Sequence, residues 1–422
     1  MAWPAIARTP EEWTETVASW GSRAFHAKQI FRWIHARGVT TPEGMTDLPA
    51  PLRERLKAEG VKDRVAIVTE RRAADDTRKI LFSLEDGANV ESVLIPGVSG
   101  PGARATDDAD ASAAVDDEEE DEAGAPEPWV RVTQCISTQV GCAMGCVFCA
   151  SGVAGLKRHL GAEEIVGQVL AGRALLEGEE QLRNVVLMGM GEPLHNYEET
   201  ARALRLLTHP EGIGLSTRRV TVSTSGLVPE IGRLGKEFGG QIALAVSLHA
   251  ADDATRSAIM PINRKYPIGE LLRALADYPL PKRRRITIEY TLVAGKNDSP
   301  EQARKLAALL RGLRVKVNLI PMNPIEASDL GPSAEARVAA FQRVMTDAGY
   351  SCFVRRRRGD DVSAACGQLA LLGAKPKVKG LRKAEEGSPD KASPRDPGAR
   401  EDRGSPRGKA LSDEASPRRE DA

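Results

Sequence analysis

Apolar positions along this chain run in three successive rhythms. From residue 9 to about 60 they recur at helical spacing. Thr9-Pro10-Glu11-Glu12 reads as a helix start, Phe25, Ile30, Phe31 and Ile34 share one face of a second helix, and a third is predicted over 51–59. From 63 to 96 they alternate, which predicts antiparallel strands over 65–68, 77–84 and 89–96. From 129 to 358 short apolar runs take turns with amphipathic stretches. Strands are predicted over 129–137, 184–188, 219–223, 242–248, 286–292, 315–320 and 351–355, and helices over 162–177, 197–207, 229–238, 268–276, 300–310 and 333–348. That order implies βα units around a parallel sheet, whose ligands sit beyond the C-terminal ends of the strands. Six or so units are too few for a closed eight-fold barrel and suit an open partial one.

The pattern lapses twice. Residues 98–128 and 373–422 hold little beyond small residues and charge, cannot bury enough apolar area to offset chain entropy, and are expected to be disordered. The expected organisation is a helical accessory domain (1–60), an antiparallel strand linker (61–97), an acidic insertion (98–128), a core (129–372) and a tail (373–422). Four Ser-Pro dipeptides, starting at Ser388, Ser393, Ser405 and Ser416, punctuate the tail.

Charge changes the picture. The chain carries 59 basic and 59 acidic residues, yet 107–127 holds 11 acidic residues and no Lys or Arg, and 375–422 holds 13 basic against 10 acidic. What remains has 46 basic and 38 acidic residues, a net of +8 that suits a polyanionic partner. Lys28, Arg32, Arg37 and Arg53 fall on the outer faces of the first helices, a candidate RNA-contacting surface or an ordinary solvated one. No apolar run approaches the ~18 residues of a membrane span, and residues 1–10 show no secretory pattern, so a cytoplasmic protein with reduced thiols is expected.

Three of the six cysteines, Cys142, Cys146 and Cys149, lie on one short loop with C-x3-C-x2-C spacing. A structural zinc site wants four ligands, whereas three thiolates on a four-iron cluster leave one iron open to a substrate. An incomplete zinc site, packed cysteines or a disulfide remain the alternatives on the residues alone. The strand over 184–188 runs into Gly189-Met190-Gly191-Glu192-Pro193, where glycines allow close backbone approach and Glu192 can accept from an ammonium group. Further strand ends carry Ser223, Ser247-Leu248-His249 and Asn323, and polar groups at successive strand ends suggest one ligand across the mouth of the sheet. Cys366 sits in a small-residue segment and should be accessible, while Cys352 in an apolar run should be packed. Basic clusters at 157–158, 218–219, 282–285 and 355–358 flank the motif-bearing loops or their strands and suit phosphate contacts. Only 17 aromatics, none within the clusters, argue against sequence reading by stacked bases.

Read in order, FHAKQI from Phe25, VESVLIP from Val90, Cys135 with the triple-cysteine loop, GMGEPLHNY from Gly189 and RRVTVSTSG from Arg218 resemble the RlmN/Cfr family of radical S-adenosylmethionine (SAM) RNA methyltransferases. SLHA from Ser247, NLIPMNP from Asn318 and RRGDDVSAACGQL from Arg357 extend the resemblance, which runs over roughly 20–372. The long acidic insertion and the tail depart from it. The resemblance implies an α/β fold: a radical-SAM partial (β/α)6 barrel with a small N-terminal helical domain. It implies a [4Fe-4S] cluster on Cys142, Cys146 and Cys149 with an open iron for SAM, and SAM contacts from Gly191, Glu192, Ser223, Ser247, Leu248, His249 and Asn323. By the same resemblance Cys366 becomes S-methylcysteine using one of two SAM molecules per turnover, and is then joined transiently to RNA. Cys135 is the resolving thiol, in a transient disulfide with Cys366, and Glu91, at the barrel edge, is the proton acceptor. The implied reaction methylates C2 of adenine in 23S rRNA and of adenine 37 in tRNAs, the alternative being C8 of the same rRNA adenine. The implied partners are those RNAs and a flavodoxin-like electron donor, with the enzyme a monomer. A non-catalytic RNA-binding protein with a structural cluster would have no use for Cys135 and Cys366.

Overall fold

A computed structural model describes residues 3–97, 129–325, 328–355 and 357–369. All of them belong to one compact unit spanning Met1–Val378. The segments expected to be disordered, 98–128 and 373–422, lie outside the described residues.

The chain opens with α1 (Pro10–Ser19), which begins where the sequence signalled. The Thr9 side chain accepts from the Glu12 N–H, the Glu12 carboxylate accepts from the Thr9 N–H at 2.9 Å, and Pro10 takes the first helical position. The second helix, α2 (Phe25–Phe31), continues as a π-helical turn, Arg32–Ala36, and buries Ile30, Phe31 and Ile34. Phe25 departs from the expected apolar face. It is 52% exposed, because it precedes the turn that packs. The third, α3 (Ala50–Ala58), lies within a residue of its forecast. Arg173 ties this helical part to the core by donating to His35 O at 2.8 Å and Ala36 O at 2.9 Å, as does Arg202 to Ala7 O at 2.7 Å. Lys28 and Arg32 are exposed as expected, but both meet Glu211, at 3.2 and 3.5 Å. Arg53 is half-buried instead.

Among the described residues, ten strands form one sheet. Three lead in antiparallel, β1 (Val65–Arg72), β2 (Arg78–Leu84) and β3 (Asn89–Pro96), and β3 pairs antiparallel with β4 (Val130–Cys135). A separate two-stranded ribbon, β5 (Gln139–Val140) with β6 (Arg158–His159), brackets the cysteine loop. The main sheet continues in parallel from β4 through β7 (Glu180–Leu187), β8 (Val220–Thr224), β9 (Ala243–Ser247), β10 (Ile286–Leu292), β11 (Val315–Pro321) and β12 (Cys352–Val354). This is the partial barrel of βα units. Every residue of β10 is buried, as expected for a parallel strand covered on both faces. Its Ile286, Ile288, Tyr290 and Leu292 alternate with Thr287, Glu289 and Thr291.

The crossovers α5 (Ala162–Ala174), α6 (Tyr197–Thr208), α7 (Val228–Phe238), α9 (Ile268–Ala276), α10 (Pro300–Leu309) and α11 (Glu335–Asp347) stand close to their forecasts, α9 and β10 coinciding with them. Two short helices, α4 (Ala150–Ala154) and α8 (Asp253–Ile259), sit at the C-terminal ends of the strands. Strand β7 begins four residues before its forecast, because Val130 and Arg131 pair with the polar residues Glu180 and Gln181. Ladder bonds, not apolar burial, extend it.

Candidate active site

The cysteine loop is held by close backbone contacts that leave no room for a side chain at Gly141 or Gly152. Gly141 has φ +78°, and a Cβ there would lie 1.8 Å from Gly155 O. A Cβ on Gly152 would lie 2.9 Å from both Cys146 N and Cys146 O. Val147 N donates to Ile259 O at 3.1 Å and Cys149 N to Cys146 O at 3.2 Å. Burial pushes the Cys142 thiol up to about 12, and it raises Cys146 and Cys149 as well. At Cys146 the neighbouring Cys149 and Cys142 add to the effect. Such thiols resist ionisation until a cation joins them. Among the described residues, no three His, Cys, Asp or Glu side chains gather tightly enough to hold a single metal ion. A polynuclear cluster takes each thiolate on a different iron, so thiols spread round a cavity fit it better than a point site.

That cavity lies beyond the C-terminal ends of the parallel strands. Cys142, Cys146 and Cys149 line it together with Gly191, Glu192, Ser223, Ser247, His249, Asn323 and Cys366. Leu248 does not line it. It is fully buried, and its N–H donates to Glu289 O at 3.0 Å. The glycine turn approaches closely: with φ +110°, Gly191 would place a Cβ 2.7 Å from Gln139 Cβ. Glu192 accepts from Ser225 N at 2.7 Å and Leu194 N at 3.1 Å, while burial, the larger effect, raises its pKa. His249 packs edge-on against Phe148, centroids 4.9 Å apart, and its Nδ1 accepts from Thr291 N at 2.9 Å. Burial lowers its pKa to about 3, which keeps the imidazole neutral.

Cys366 is half-buried on the cavity wall, next to the cysteine loop. The following carbonyl, Gly367 O, accepts from Ala150 N at 2.8 Å, and Asn323 Nδ2 donates to Cys366 O at 3.0 Å. Cys135, at the end of β4, is 6% exposed and outside the cavity lining. Burial pushes its thiol up to about 12, and the neighbouring Cys366 adds to the effect; neither is joined in a disulfide. Glu91 is on β3, which pairs with β4, the first strand of the barrel, and so borders the barrel edge. Strand β3 lies between β2 and β4, and Glu91 is fully buried there with Lys79 Nζ at 2.9 Å. Lys79 also donates to Ser363 O at 2.9 Å, which links Glu91 to the loop that carries Cys366.

The basic clusters divide. Arg158 is clamped between Asp86 at 2.6 Å and Glu164 at 2.8 Å, so it is engaged within the fold. Arg218, Arg284 and Arg285 line a crevice with Ile242 and Ala243, at the strand ends opposite the cavity, so these clusters flank the strands and not the cavity-side loops. Arg355 does line the cavity. Two groups escaped the sequence reading. Glu289 lines the cavity and accepts from Asn318 Nδ2 at 3.1 Å, and a lone carboxylate inside Ile286–Leu292 was its signal. Arg256, fully buried beneath the strand ends, had none, since its helix reads as an ordinary polar one.

Comparison with known proteins bears on this arrangement directly. Residues 136–307 match the Radical SAM superfamily, and residues 8–61 match the ribosomal RNA large subunit methyltransferase N-terminal domain. A dual-specificity RNA methyltransferase RlmN of Sorangium cellulosum (strain So ce56) is 73% identical over 378 residues, 89% of this chain and 97% of that protein. The chain belongs to the RlmN family. Another RlmN, from Anaeromyxobacter dehalogenans (strain 2CP-C), is 45% identical over 88% of this chain and 92% of its own length. The crystal structure of a radical SAM methyltransferase from Sphaerobacter thermophilus shares 41% identity and a TM-score of 0.76, covering 87% of this chain and 99% of that one. The RlmN match thus takes in both the helical part and the barrel. Among the described residues no helix is long and apolar enough to cross a membrane.

Proposed function

We propose that this chain is a SAM-dependent RNA methyltransferase acting at C2 of adenine, in 23S rRNA and at position 37 of tRNAs, with Cys366 as the carrier of the new carbon. The observation that carries the reading is the sharing of one cavity wall by Cys366 and the three cysteines of the loop, joined through the bond from Ala150 N to Gly367 O. Cys142, Cys146 and Cys149 would hold the iron–sulfur cluster, of the [4Fe-4S] type with one iron left for SAM, which when bound supplies one-electron cleavage of SAM. Gly191, Glu192, Ser223, Ser247, His249 and Asn323 would seat SAM, the backbone of Gly191 allowing close approach and Glu192 facing its ammonium group.

C2 of adenine is a poor nucleophile towards a sulfonium methyl, whereas a thiolate is a good one. The Cys366 sulfur therefore takes the methyl group first: its S–C bond forms as the sulfonium S–C bond of SAM breaks. That carbon would give up one hydrogen atom to the radical that SAM cleavage supplies and then bond to C2; Glu91, held in place by Lys79, accepts the C2 proton, and the electron left over would return to the iron–sulfur cluster. Release falls to Cys135, whose sulfur attacks the Cys366 sulfur; the S–S bond forms as the S–C bond to the product breaks, and the released carbon takes up a proton to become the methyl group. Its burial beside Cys366 keeps it protonated until that encounter. A low-potential electron donor would close the cycle.

The test is nucleoside mass spectrometry of 23S rRNA and tRNA after reaction with anaerobically prepared protein. We expect 2-methyladenosine, and 8-methyladenosine in its place would overturn the assignment of position. A Cys366→Ala variant should keep its iron and sulfide and lose RNA methylation. Methylation by that variant would rule out the carrier role.

A further inference from the structure

A second crevice opens at Cys366. It shares Ile320, Asn323, Arg355 and Cys366 with the main cavity, yet none of the cysteine loop lines it. Its other walls come from Thr77 on the turn into β2, from Val93 and Ile95 on β3, and from Arg357 and Arg358 on the segment leading to Cys366. Among the described residues, three arginines line it and no Asp or Glu does. We propose that this crevice seats the backbone phosphates of the RNA nucleotide presented to Cys366, on Arg355, Arg357 and Arg358. The inference rests on the reading above, that RNA receives its carbon from Cys366.

Charge separates the two substrates. SAM carries a net charge of only +1, with a single carboxylate and no phosphate, so a wall of arginines favours a polyanion over it. RNA brings one phosphate per nucleotide, and the planar guanidinium fork suits phosphate oxygens. The wall is also held in shape. Asp75 accepts from Gly359 N at 3.1 Å and from Thr77 N at 3.1 Å, lies 3.9 Å from Arg358, and so fastens the arginine segment to the turn before β2. Arg357 is exposed, with one nitrogen donating to Met322 O at a long 3.3 Å. Cys366 stands where the two crevices meet, so a base entering with its phosphate on this side reaches the sulfur without crossing the SAM side.

The test compares the cluster-loaded parent with a double variant, Arg357→Gln with Arg358→Gln, binding an unmodified tRNA transcript over a range of salt concentrations. A second double variant, Arg304→Gln with Arg311→Gln, removes the same charge from another crevice, on α10 and the residues just after it. We expect the first pair to weaken binding about tenfold and to flatten the dependence of log K on log salt by about 1 to 2, as for lost phosphate contacts. The control pair should change both far less. Equal effects from the two pairs, or an unchanged salt slope in the first, would overturn the assignment. A parent that binds the transcript but transfers no carbon from Cys366 would instead overturn the reading of function beneath it.

Discussion

Arg256→Met tests how far the cavity depends on one buried cation. Arg256 is fully buried on α8 and donates to Ser225 O at 2.7 Å and to Leu248 O, Ser247 O and Asn263 Oδ1 at 3.0 Å each. It thereby joins the ends of β8 and β9, where Ser223 and Ser247 face the cavity. Burial lowers its pKa from 12.5 to about 10, a desolvation penalty on the order of 3 kcal/mol at about 1.4 kcal/mol per tenfold. Against this stand four hydrogen bonds from a charged donor, each contributing about 1.5–3 kcal/mol. The balance favours the folded state by at least about 3 kcal/mol, and methionine also strands the acceptors, so a loss of roughly 3–5 kcal/mol is expected. Calorimetry of the anaerobic protein should show a melting temperature lower by about 6–10 °C, at roughly 2 °C per kcal/mol for a unit of this size. SAM affinity, measured on cluster-loaded protein, should fall with it. Arg256→Lys offers three donors for four acceptors and should recover part of the loss. A methionine variant melting within about 2 °C of the parent, well under the shift expected from stranded acceptors, would refute the reasoning.

Three further outcomes are expected. Burial lowers His35 from 6.5 to about 3, so the unfolded chain binds its proton below pH 6.5 while the folded one does not until about 3. This contribution is intact above pH 6.5 and shrinks on acidification, by about 2 kcal/mol at about pH 5; His35→Gln should flatten the melting-temperature profile between about pH 7 and about pH 5, and an unchanged profile would count against it. Lys79→Met leaves the buried Glu91 carboxylate without this cation, so stability in urea should drop by about 3–5 kcal/mol, and the double change with Glu91→Met should cost less. Gly191→Ala combines a φ of +110° with a Cβ only 2.7 Å from Gln139, and it should abolish SAM binding in equilibrium dialysis and cost about 2–4 kcal/mol in stability. An alanine variant with parental SAM affinity would show that the close approach is dispensable.

The apolar pattern alone placed β10 and α9 because each element buries a continuous face, and burial is written in side-chain polarity. The parallel strands were legible for that reason, and so were the strand ends that carry Ser223, Ser247 and Asn323. Where an element is made by backbone pairing instead, as at Glu180 and Gln181 in β7, polarity gave no sign of it. Phe25 shows the converse: it matched the helical period yet lies outside the packed turn.

What the sequence determined by itself was the chemistry: the spacing of Cys142, Cys146 and Cys149, the glycine turn before Glu192, and the order of βα units. Covalent spacing along one loop is local, and the sequence contains it in full. Only the tertiary structure decided which distant groups meet. It brought Cys366 to the cysteine loop, where Ala150 N donates to Gly367 O and Ser151 Oγ to Leu369 O, set Cys135 near it, and buried Glu91 against Lys79 within the sheet. It also clamped Arg158 between two carboxylates and turned Arg218, Arg284 and Arg285 to the opposite strand ends. These outcomes depend on strand order and register, and on which partner reaches a charge first in three dimensions, none of which is carried by charge or polarity read along the chain.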